Sequence, residues 1–585
     1  MTDSMRERAE RVELQRKINS DVSKEGASAY SQDSAFTARS AEHGQRADSP
    51  LAATEPLARH AIRPSRTARA SNPRPDGTVR VPESYPAHIL HPQPHVVRDQ
   101  LRRNAKKPLR VMKFGGTSVG DASCIQKVVD IVRAAVSHSD VVVVVSAMSG
   151  VTNKLVEAAK QSAAGNRQLV ATIFKQLRQR HEAAADTLIH SPEMRHSIVL
   201  KMAQVIEEGE RLCQHAIQHQ ELTPRMCDAV SGIGERLSAP LVAAALAERG
   251  VASQAIEATE LVVTDSCHGA AEPFMELTRE RCEARLRPLV LQGVVAVVTG
   301  FIGATVEGVP TTLGRNSSDY SGTIMGAALD ADEVTLWTDV DGILTADPRL
   351  VPEASSILEM SYREASDLAE LGAKVLHPKT LHALMQRGIP LAIRNTFAPD
   401  LPGTKITPAG SSSGAEPKAL TATNNAALIT VRSSKVLGAA DILRRTLATV
   451  ATVPAEVRLI PQSSFPQSEV CVVVSSAAAE PAVEALRREF VQDMAHDSVS
   501  SITVNPSVAI VTVVGGEILG ERGLAARTLD ALRREKLLVL GSAPGSHSSF
   551  CFVVAPCDLN AAVVTAHREL QISAVDSRVL PRTIT

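Results

Sequence analysis

A chain of 585 residues, 44% hydrophobic and 22% charged, has material for about three or four folded units. Its formal net charge of −1 gives no global basic footprint for nucleic acid. The eight cysteines are scattered without a Cys-x-x-Cys pair, which fits reduced thiols of a cytosolic protein better than a disulfide framework or a zinc site. No apolar run approaches the ~18 residues of a membrane span, and the acidic start (Asp3, Glu7, Glu10) lacks the apolar core of a secretory signal.

Residues 1–108 differ in composition from the rest. Ala, Ser, Arg, Pro and His dominate, and Arg63-Pro64-Ser65-Arg66 and Asn72-Pro73-Arg74-Pro75 interrupt any helix. Apart from a charged, helix-compatible start at Met5–Ile18, the composition predicts a disordered N-terminal extension that is dispensable for activity. Its acidic residues argue against a transit peptide. The basic cluster Arg102, Arg103, Lys106 and Lys107 reads as a solvated linker.

From Leu109 the chain alternates apolar runs with helical patterns. A strand at Leu109–Met112 leads into Lys113-Phe114-Gly115-Gly116-Thr117-Ser118. A helix follows, with Ile125, Val128, Val129, Val132 and Val136 at 3.6-residue spacing. A lysine at a strand end, followed by paired glycines and a helix N-terminus, brings an ammonium and backbone N–H groups close to phosphate oxygens. The glycine spacing matches neither a Walker A loop nor a dinucleotide fingerprint. The five valines Val141–Val145 and the run Val294–Val298 suit strands of a parallel sheet covered on both faces. Helical stretches at Asn153–Ala164 and Leu237–Glu248 complete the rhythm of an α/β layer fold.

The Gly/Ser/Pro-rich loop Pro408–Pro417 marks a boundary. Beyond it, strands at Ala427–Val431 and Val470–Val474 flank a helix at Asp441–Val450. The order recurs as strand Val508–Val514, helix Leu524–Glu535, strands Leu537–Leu540 and Ser549–Val554, and helix Leu559–Glu569. Two such passes predict duplicated ferredoxin-like α+β modules, with the first irregular near Pro461–Pro466.

Polar stretches punctuate the α/β part: Ser146–Thr152 at the end of the valine strand, Ser231–Arg236, Thr312–Gly322, Trp337–Gly342, Thr345–Arg349 and Leu371–Pro378. Each alone is an ordinary loop signal. In this combination and order they resemble the aspartate kinases of the amino-acid kinase superfamily. The most specific are Lys-Phe-Gly-Gly-Thr-Ser, Gly-Arg-x-x-Ser-Asp-Tyr-Ser, Trp-Thr-Asp-Val-Asp-Gly and Gly-Ala-Lys-Val-Leu-His-Pro. The resemblance covers residues 109–406, and the duplicated modules resemble the paired ACT domains of that family. It implies a catalytic domain at 109–408 with a mostly parallel sheet and helices on both faces, a first ACT domain at 419–500 and a second at 501–585. No dinucleotide fingerprint follows, so the expectation is a kinase without an attached dehydrogenase.

The implied reaction is transfer of the ATP γ-phosphoryl group to the β-carboxylate of L-aspartate, the first step toward lysine, threonine and methionine. Mg²⁺ is carried by the nucleotide and not by metal ligands of the protein. By resemblance, Lys113 contacts the transferring phosphoryl group and Gly115, Gly116 and Thr117 shape the phosphate turn. Asp319 organises the reacting centre. Ser146, Thr152, Glu235, Arg315 and Ser318 form the aspartate pocket, with Arg315 on a carboxylate and Glu235 on the α-ammonium. Thr338, Asp339, Arg349 and Lys374 match the nucleotide-contacting set, although a surface salt bridge is the blander reading of Arg349 and Lys374. Trp337, the sole tryptophan, reads as core packing. Leu344 stands where the family commonly has an aromatic residue, and Asn316-Ser317 replaces a glycine-containing pair.

The resemblance further implies a homodimer or homotetramer with an amino-acid effector at the ACT pair and no nucleic-acid or membrane partner. Asp441 and Arg458 stand where lysine-sensitive relatives tend to carry a glycine and an aspartate. Altered or weak lysine inhibition is therefore expected. The competing readings are a glutamate-type carboxylate kinase and a non-catalytic amino-acid sensor; the retained Lys113, Arg315, Asp319 and Lys374 speak against the sensor.

Overall fold

The computed structural model describes residues 107–314, 317–371, 376, 378–410, 417–433, 439–461, 469–515, 523–546, 548–570 and 572. The N-terminal extension up to residue 106, Asn316 and the irregular stretch 462–466 lie outside the described residues.

The first strand, β1 (Leu109–Phe114), runs parallel to β2 (Asp140–Val145) and is joined to it by helix α1 (Ala122–Val136). Asp121 caps α1 by accepting the Cys124 N–H, which satisfies one of the otherwise orphaned amides. Valine alternation in β2 explains its layer packing. Val141, Val143 and Val145 enter one hydrophobic cluster with Ile125, Val128, Val129 and Val132 of α1, whereas Val142 and Val144 enter a second on the opposite face. A strand buried on both faces needs no polar alternation.

Four helices then build up the α1 side: α2 (Val151–Ala163), α3 (Arg167–Leu188), α4 (Pro192–His219) and α5 (Pro224–Ser231). Helix α6 (Ile233–Glu248) is buried almost throughout and leads to β3 (Ser253–Ile256). The chain crosses through α7 (Met275–Arg285) and α8 (Arg287–Leu291) to β4 (Val295–Thr299). A two-stranded ribbon, β5 (Ile302–Ala304) with β6 (Pro310–Thr312), precedes α9 (Ser318–Ala328) and β7 (Glu333–Thr338). The last elements of this part are β8 (Glu359–Ser361), α10 (Tyr362–Glu370), α11 (Pro378–Met385), β9 (Leu391–Asn395) and β10 (Thr404–Thr407). The eight-stranded sheet has the order β3-β4-β2-β1-β7-β9-β10-β8 and is parallel except where β10 meets β9. Strand β1 is central, with β2 on one side and β7 on the other, so the chain's direction of travel reverses there. Open parallel sheets bind ligands outside the carboxyl ends of their strands at such a switch point.

A second, six-stranded antiparallel sheet has the order β12-β13-β11-β14-β16-β15. Its strands are β11 (Ala419–Ser433), β12 (Val457–Leu459), β13 (Glu469–Ser475), β14 (Val499–Val514), β15 (Val539–Ser546) and β16 (Ser549–Val554). Helices α12 (Ala439–Val450), α13 (Ala479–Glu489) and α14 (Val491–Ala495) accompany the first pass, and α15 (Leu524–Arg534) and α16 (Leu559–Glu569) the second. The two passes share their longest strands. The Ala426–Arg432 half of β11 pairs with β13 and with the front of β14, while Ala419–Thr423 pairs with Ile510–Val514 at the back of β14. The second pass is thus closed by a strand segment that precedes the first. Leu420, Val511, Val513, Phe550 and Phe552 of this half pack with Ala346 and Val351 of the first sheet's loops, which joins the two sheets.

All eight cysteines are free thiols. Among the described residues no helix is long and apolar enough to cross a membrane.

Candidate active site

Lys113 occupies the penultimate position of β1 and follows Val111 onto the face covered by α9. Its room there comes from Gly322, where a Cβ would lie 2.9 Å from the Lys113 Cβ. Sheltered in this way, Lys113 is 5% exposed, and its ammonium donates to Asp319 Oδ1 at 2.5 Å. Asp319 is the second residue of α9, partly exposed, so the pair sits at a helix N-terminus whose dipole favours negative charge. A buried ammonium held by one carboxylate keeps donors for an incoming anion.

The turn after β1 is fixed by its neighbour β7. Gly115 N–H donates to the Trp337 carbonyl at 3.1 Å, and Ser118 Oγ donates to the same carbonyl at 3.3 Å while lying 2.7 Å from Thr396 Oγ1. Trp337 is buried and stacks on Phe114, with 5.9 Å between ring centroids, so the core-packing expectation holds. Thr117 is exposed at the tip, and Gly115 and Gly116 are half-buried. Next to this turn, Ser146 N–H donates to the Phe114 carbonyl at 3.1 Å, and Gly300 N–H donates to the Val145 carbonyl at 2.8 Å. The ends of β1, β2, β4 and β7 therefore meet in one place. Gly300 permits this, since a Cβ there would fall 3.3 Å from the Ser318 Cβ and 3.0 Å from the Val145 oxygen.

Glu235 lies in the first turn of α6, 3% exposed. Burial pushes its carboxyl up to about 8, against the opposing pull of the Ala147 N–H and the Lys113 charge. Among the described residues its Oε2 has no hydrogen-bond partner. A buried acid with one unsatisfied oxygen is prepared to receive a cation. The structure thus brings Lys113, Gly115, Ser146, Glu235, Ser318 and Asp319 to the carboxyl edge of the parallel sheet. Thr152, half-buried in the first turn of α2, follows from the same β2 loop. Thr338 ends β7 and donates to the exposed Asp339 at 3.2 Å.

Arg349 presents a different picture. It is exposed and makes two-pronged contacts with Asp347 through Nε and Nη2. It pairs with that carboxylate and not with the Lys113–Asp319 pair, the surface salt bridge that the blander reading of this residue expects. Arg315 and Lys374 lie outside the described residues. The proposed effector positions are also engaged: Asp441 pairs with Arg444, and Arg458 reaches Thr423 and Glu456.

Three residues at the site escaped the sequence reading. Arg180 of α3 donates to the Gly120 and Ser149 carbonyls at 2.7 and 2.8 Å, which ties the turns after β1 and β2 together. Phe301, directly after Gly300, holds φ at +66°, where a bulky residue is an outlier, and its N–H is fixed by Ser321 Oγ at 2.8 Å. Asp228, buried in α5, bonds three separate groups. An isolated arginine or aspartate in a helix carries no spacing signal, and a strained φ leaves none.

Residues 108–395 match the model of the amino acid kinase family. This segment is an amino acid kinase domain. Over about four-fifths of its length, 79%, the chain is homologous to aspartokinases. It is 29% identical over 468 residues to lysine-sensitive aspartokinase 3 of Escherichia coli, covering 79% of this chain and 98% of that protein. It is 31% identical over 473 residues to the chloroplastic bifunctional aspartokinase/homoserine dehydrogenase 1 of Arabidopsis thaliana, covering 79% of this chain and 51% of that protein. The chain therefore spans about half the length of such bifunctional relatives. Among solved structures, E. coli aspartokinase III in complex with aspartate and ADP aligns over 79% of this chain and 100% of its own, with a TM-score of 0.63 and 27% identity. The amino acid kinase domain ends its family match at Asn395, and the strands that follow, β10 and β11, lead into the second sheet.

Proposed function

We propose that this chain transfers the γ-phosphoryl group of ATP to the β-carboxylate of L-aspartate and yields 4-phospho-L-aspartate. The observation that carries the reading is the Lys113–Asp319 pair at the switch point of the sheet, with the buried Glu235 carboxyl coupled to the Lys113 charge. The aspartokinase homologues support it.

The chemistry suits this inventory. An aspartate side chain with a pKa of ~3.9 is ionised at neutral pH, so the attacking oxygen needs no general base. The barrier is repulsion between an anionic nucleophile and a polyanionic donor, which in-line positioning and fixed cations offset. In this reading Lys113 meets the transferring phosphoryl group and Asp319 holds the ammonium in place. The N–H groups of the Gly115–Thr117 turn, fixed through Trp337, receive phosphate oxygens. Mg²⁺ enters with the nucleotide. Glu235 receives the α-ammonium, Arg315 grips the α-carboxylate, and Ser146, Thr152 and Ser318 complete the pocket. Thr338, Asp339 and Lys374 face the nucleotide, and Arg349 joins them by exchanging Asp347 for phosphate. The second sheet is read as a pair of ACT-type regulatory modules for an amino-acid effector, which also assemble the chain into a dimer or tetramer. With every thiol unpaired, the enzyme is assigned to the cytoplasm.

The test is hydroxylamine trapping. With ATP and Mg²⁺, aspartate should give a hydroxamate, glutamate should give little, and Lys113→Ala should give none. Equal yield from glutamate, or no hydroxamate from either, would overturn the assignment.

A further inference from the structure

Asp228 is a charged side chain in the body of the amino acid kinase domain, 4% exposed, and the mechanism above gives it no task. Both of its oxygens are engaged. Oδ1 accepts from Thr312 Oγ1 at 2.6 Å, and Oδ2 accepts from the Gly269 N–H at 3.0 Å and lies 2.8 Å from His268 Nδ1. A buried carboxylate with three polar partners is costly to assemble, and stripping it away strands the donors. What it joins is therefore informative.

On one side the connection runs to Glu235. The Asp228 carbonyl accepts from Gly232 N–H at 3.0 Å and from Ser231 Oγ at 3.2 Å, and Glu235 N–H donates to the Gly232 carbonyl at 2.7 Å. These are main-chain bonds of the helix end, so the Asp228 side chain projects from the same turn that leads through Gly232 to Glu235, and tying that side chain down anchors the break between α5 and α6. On the other side the connection runs to α9. Thr312 ends β6, and its carbonyl accepts from Ala271 N–H at 2.9 Å. Two residues later Gly314 turns at φ +100°, packed on Gly269 and Ala270, and its carbonyl accepts from Ser317 Oγ at 2.6 Å. Ser317 stands immediately before Ser318 and Asp319.

We propose that Asp228, with Thr312 and His268, is a positioning residue for the amino-acid acceptor: it locks the wall that carries Glu235 to the wall that carries Ser318 and Asp319. This rests on the aspartate kinase reading for the identity of the acceptor. The phosphate turn is held separately, by Trp337 and Arg180, so loosening the Asp228 tie separates acceptor affinity from nucleotide affinity.

Steady-state kinetics on the full chain tests this with Asp228→Ala, Asp228→Asn, Thr312→Val and His268→Ala. Asp228→Ala should raise KM for aspartate by about tenfold or more and leave KM for ATP within about twofold, because a small misplacement of one reactant carries a large cost. Asp228→Asn should recover most of that loss, since its oxygen can face Gly269 and its amide can donate to Thr312 Oγ1. Thr312→Val, which removes one donor, should show an intermediate rise in aspartate KM. If Asp228→Ala fails to fold, Thr312→Val and His268→Ala carry the comparison, checked by thermal melting. An unchanged aspartate KM in folded variants, or parallel rises for both substrates, would overturn the proposal. If the wild-type chain phosphorylates a different amino-acid carboxylate, the parent reading fails while the same KM comparison applies to that acceptor.

Discussion

Asp367 in α10 accepts a hydrogen bond from Ser546 at the end of β15, at 2.5 Å, across the junction between the parallel sheet and the antiparallel one. Ser548 donates to the same oxygen at 2.7 Å. One turn earlier on α10, Glu364 pairs with Lys418 at 2.9 Å, both side chains nearly buried. Helix α10 is thus fixed to the second sheet by two carboxylates on one face, and His567 Nε2 reaches Thr345 Oγ1 at 3.2 Å elsewhere in the same junction. Asp367→Ala should destabilise the chain by about 1–3 kcal/mol, since it leaves two hydroxyls without their shared acceptor. Ser546→Ala and Ser548→Ala should each cost less than half as much, because either serine can serve the carboxylate alone. Urea unfolding of the three variants checks this; equal losses for all three would mean that the serines do not back each other up.

Removing Lys113 or Asp319 should cost activity and not fold. Lys113→Ala and Asp319→Ala are expected to reduce turnover by about 10²–10³-fold or more, the usual consequence of deleting a positioned charge at a phosphoryl-transfer centre. The near-ultraviolet circular dichroism of the single tryptophan, which sits one strand away, should be unchanged. Wild-type turnover in Lys113→Ala would disprove the site.

Much of this was legible in the chain because burial on both faces writes itself as unbroken apolar runs. The valine strand β2 appeared as Val141–Val145 and is Asp140–Val145, and α16 matched its reading of Leu559–Glu569. The apolar run Val508–Val514 marks only the back of strand β14, which begins at Val499. Its front half, Val499–Ser507, alternates with exposed Ser, Thr and Asn, and Pro506 falls where the pairing with β11 shifts register. Proline is tolerated at such an irregularity because no ladder amide is needed there. The α3–α4 pair leaves a weak signal because its buried stripe is interleaved with many charged residues over long spans. In the site, motif residues on strand ends were readable, whereas Arg180 and Asp228 act through backbone and loop partners distant in sequence.

Histidine 181 should make the chain acid-sensitive. It is buried in α3, its Nδ1 lies 2.7 Å from the Leu177 carbonyl, and burial holds its pKa down to about 4 from the usual 6.5. As pH falls from 6.5 toward 4, the unfolded chain binds a proton that the folded chain refuses. The stability contributed by the neutral ring is therefore complete above pH 6.5 and lost through that window. His181→Leu should remove this slope, shrinking the difference in unfolding free energy between pH 7 and pH 5 by about 2 kcal/mol. A slope equal to that of wild type would place the acid sensitivity elsewhere.

Glu235 should act in the opposite sense and report on the acceptor directly. Its carboxyl titrates near 4.5 in the unfolded chain and near 8 in the folded one, so between those values the folded state retains a proton that the unfolded state has lost. Stability from this group is complete below pH 4.5 and falls as pH rises toward 8. Glu235→Gln should therefore stabilise the ligand-free protein relative to wild type by more at pH 7.5 than at pH 5, with a difference of about 3 kcal/mol. The same proton marks binding. An α-ammonium set against Glu235 favours the ionised carboxylate, so aspartate binding at pH 7 should release close to one proton. Calorimetric titration in two buffers of different ionisation enthalpy measures that number, and Glu235→Gln should reduce it to near zero. Aspartate binding to wild type without proton release would show that the ammonium does not meet Glu235.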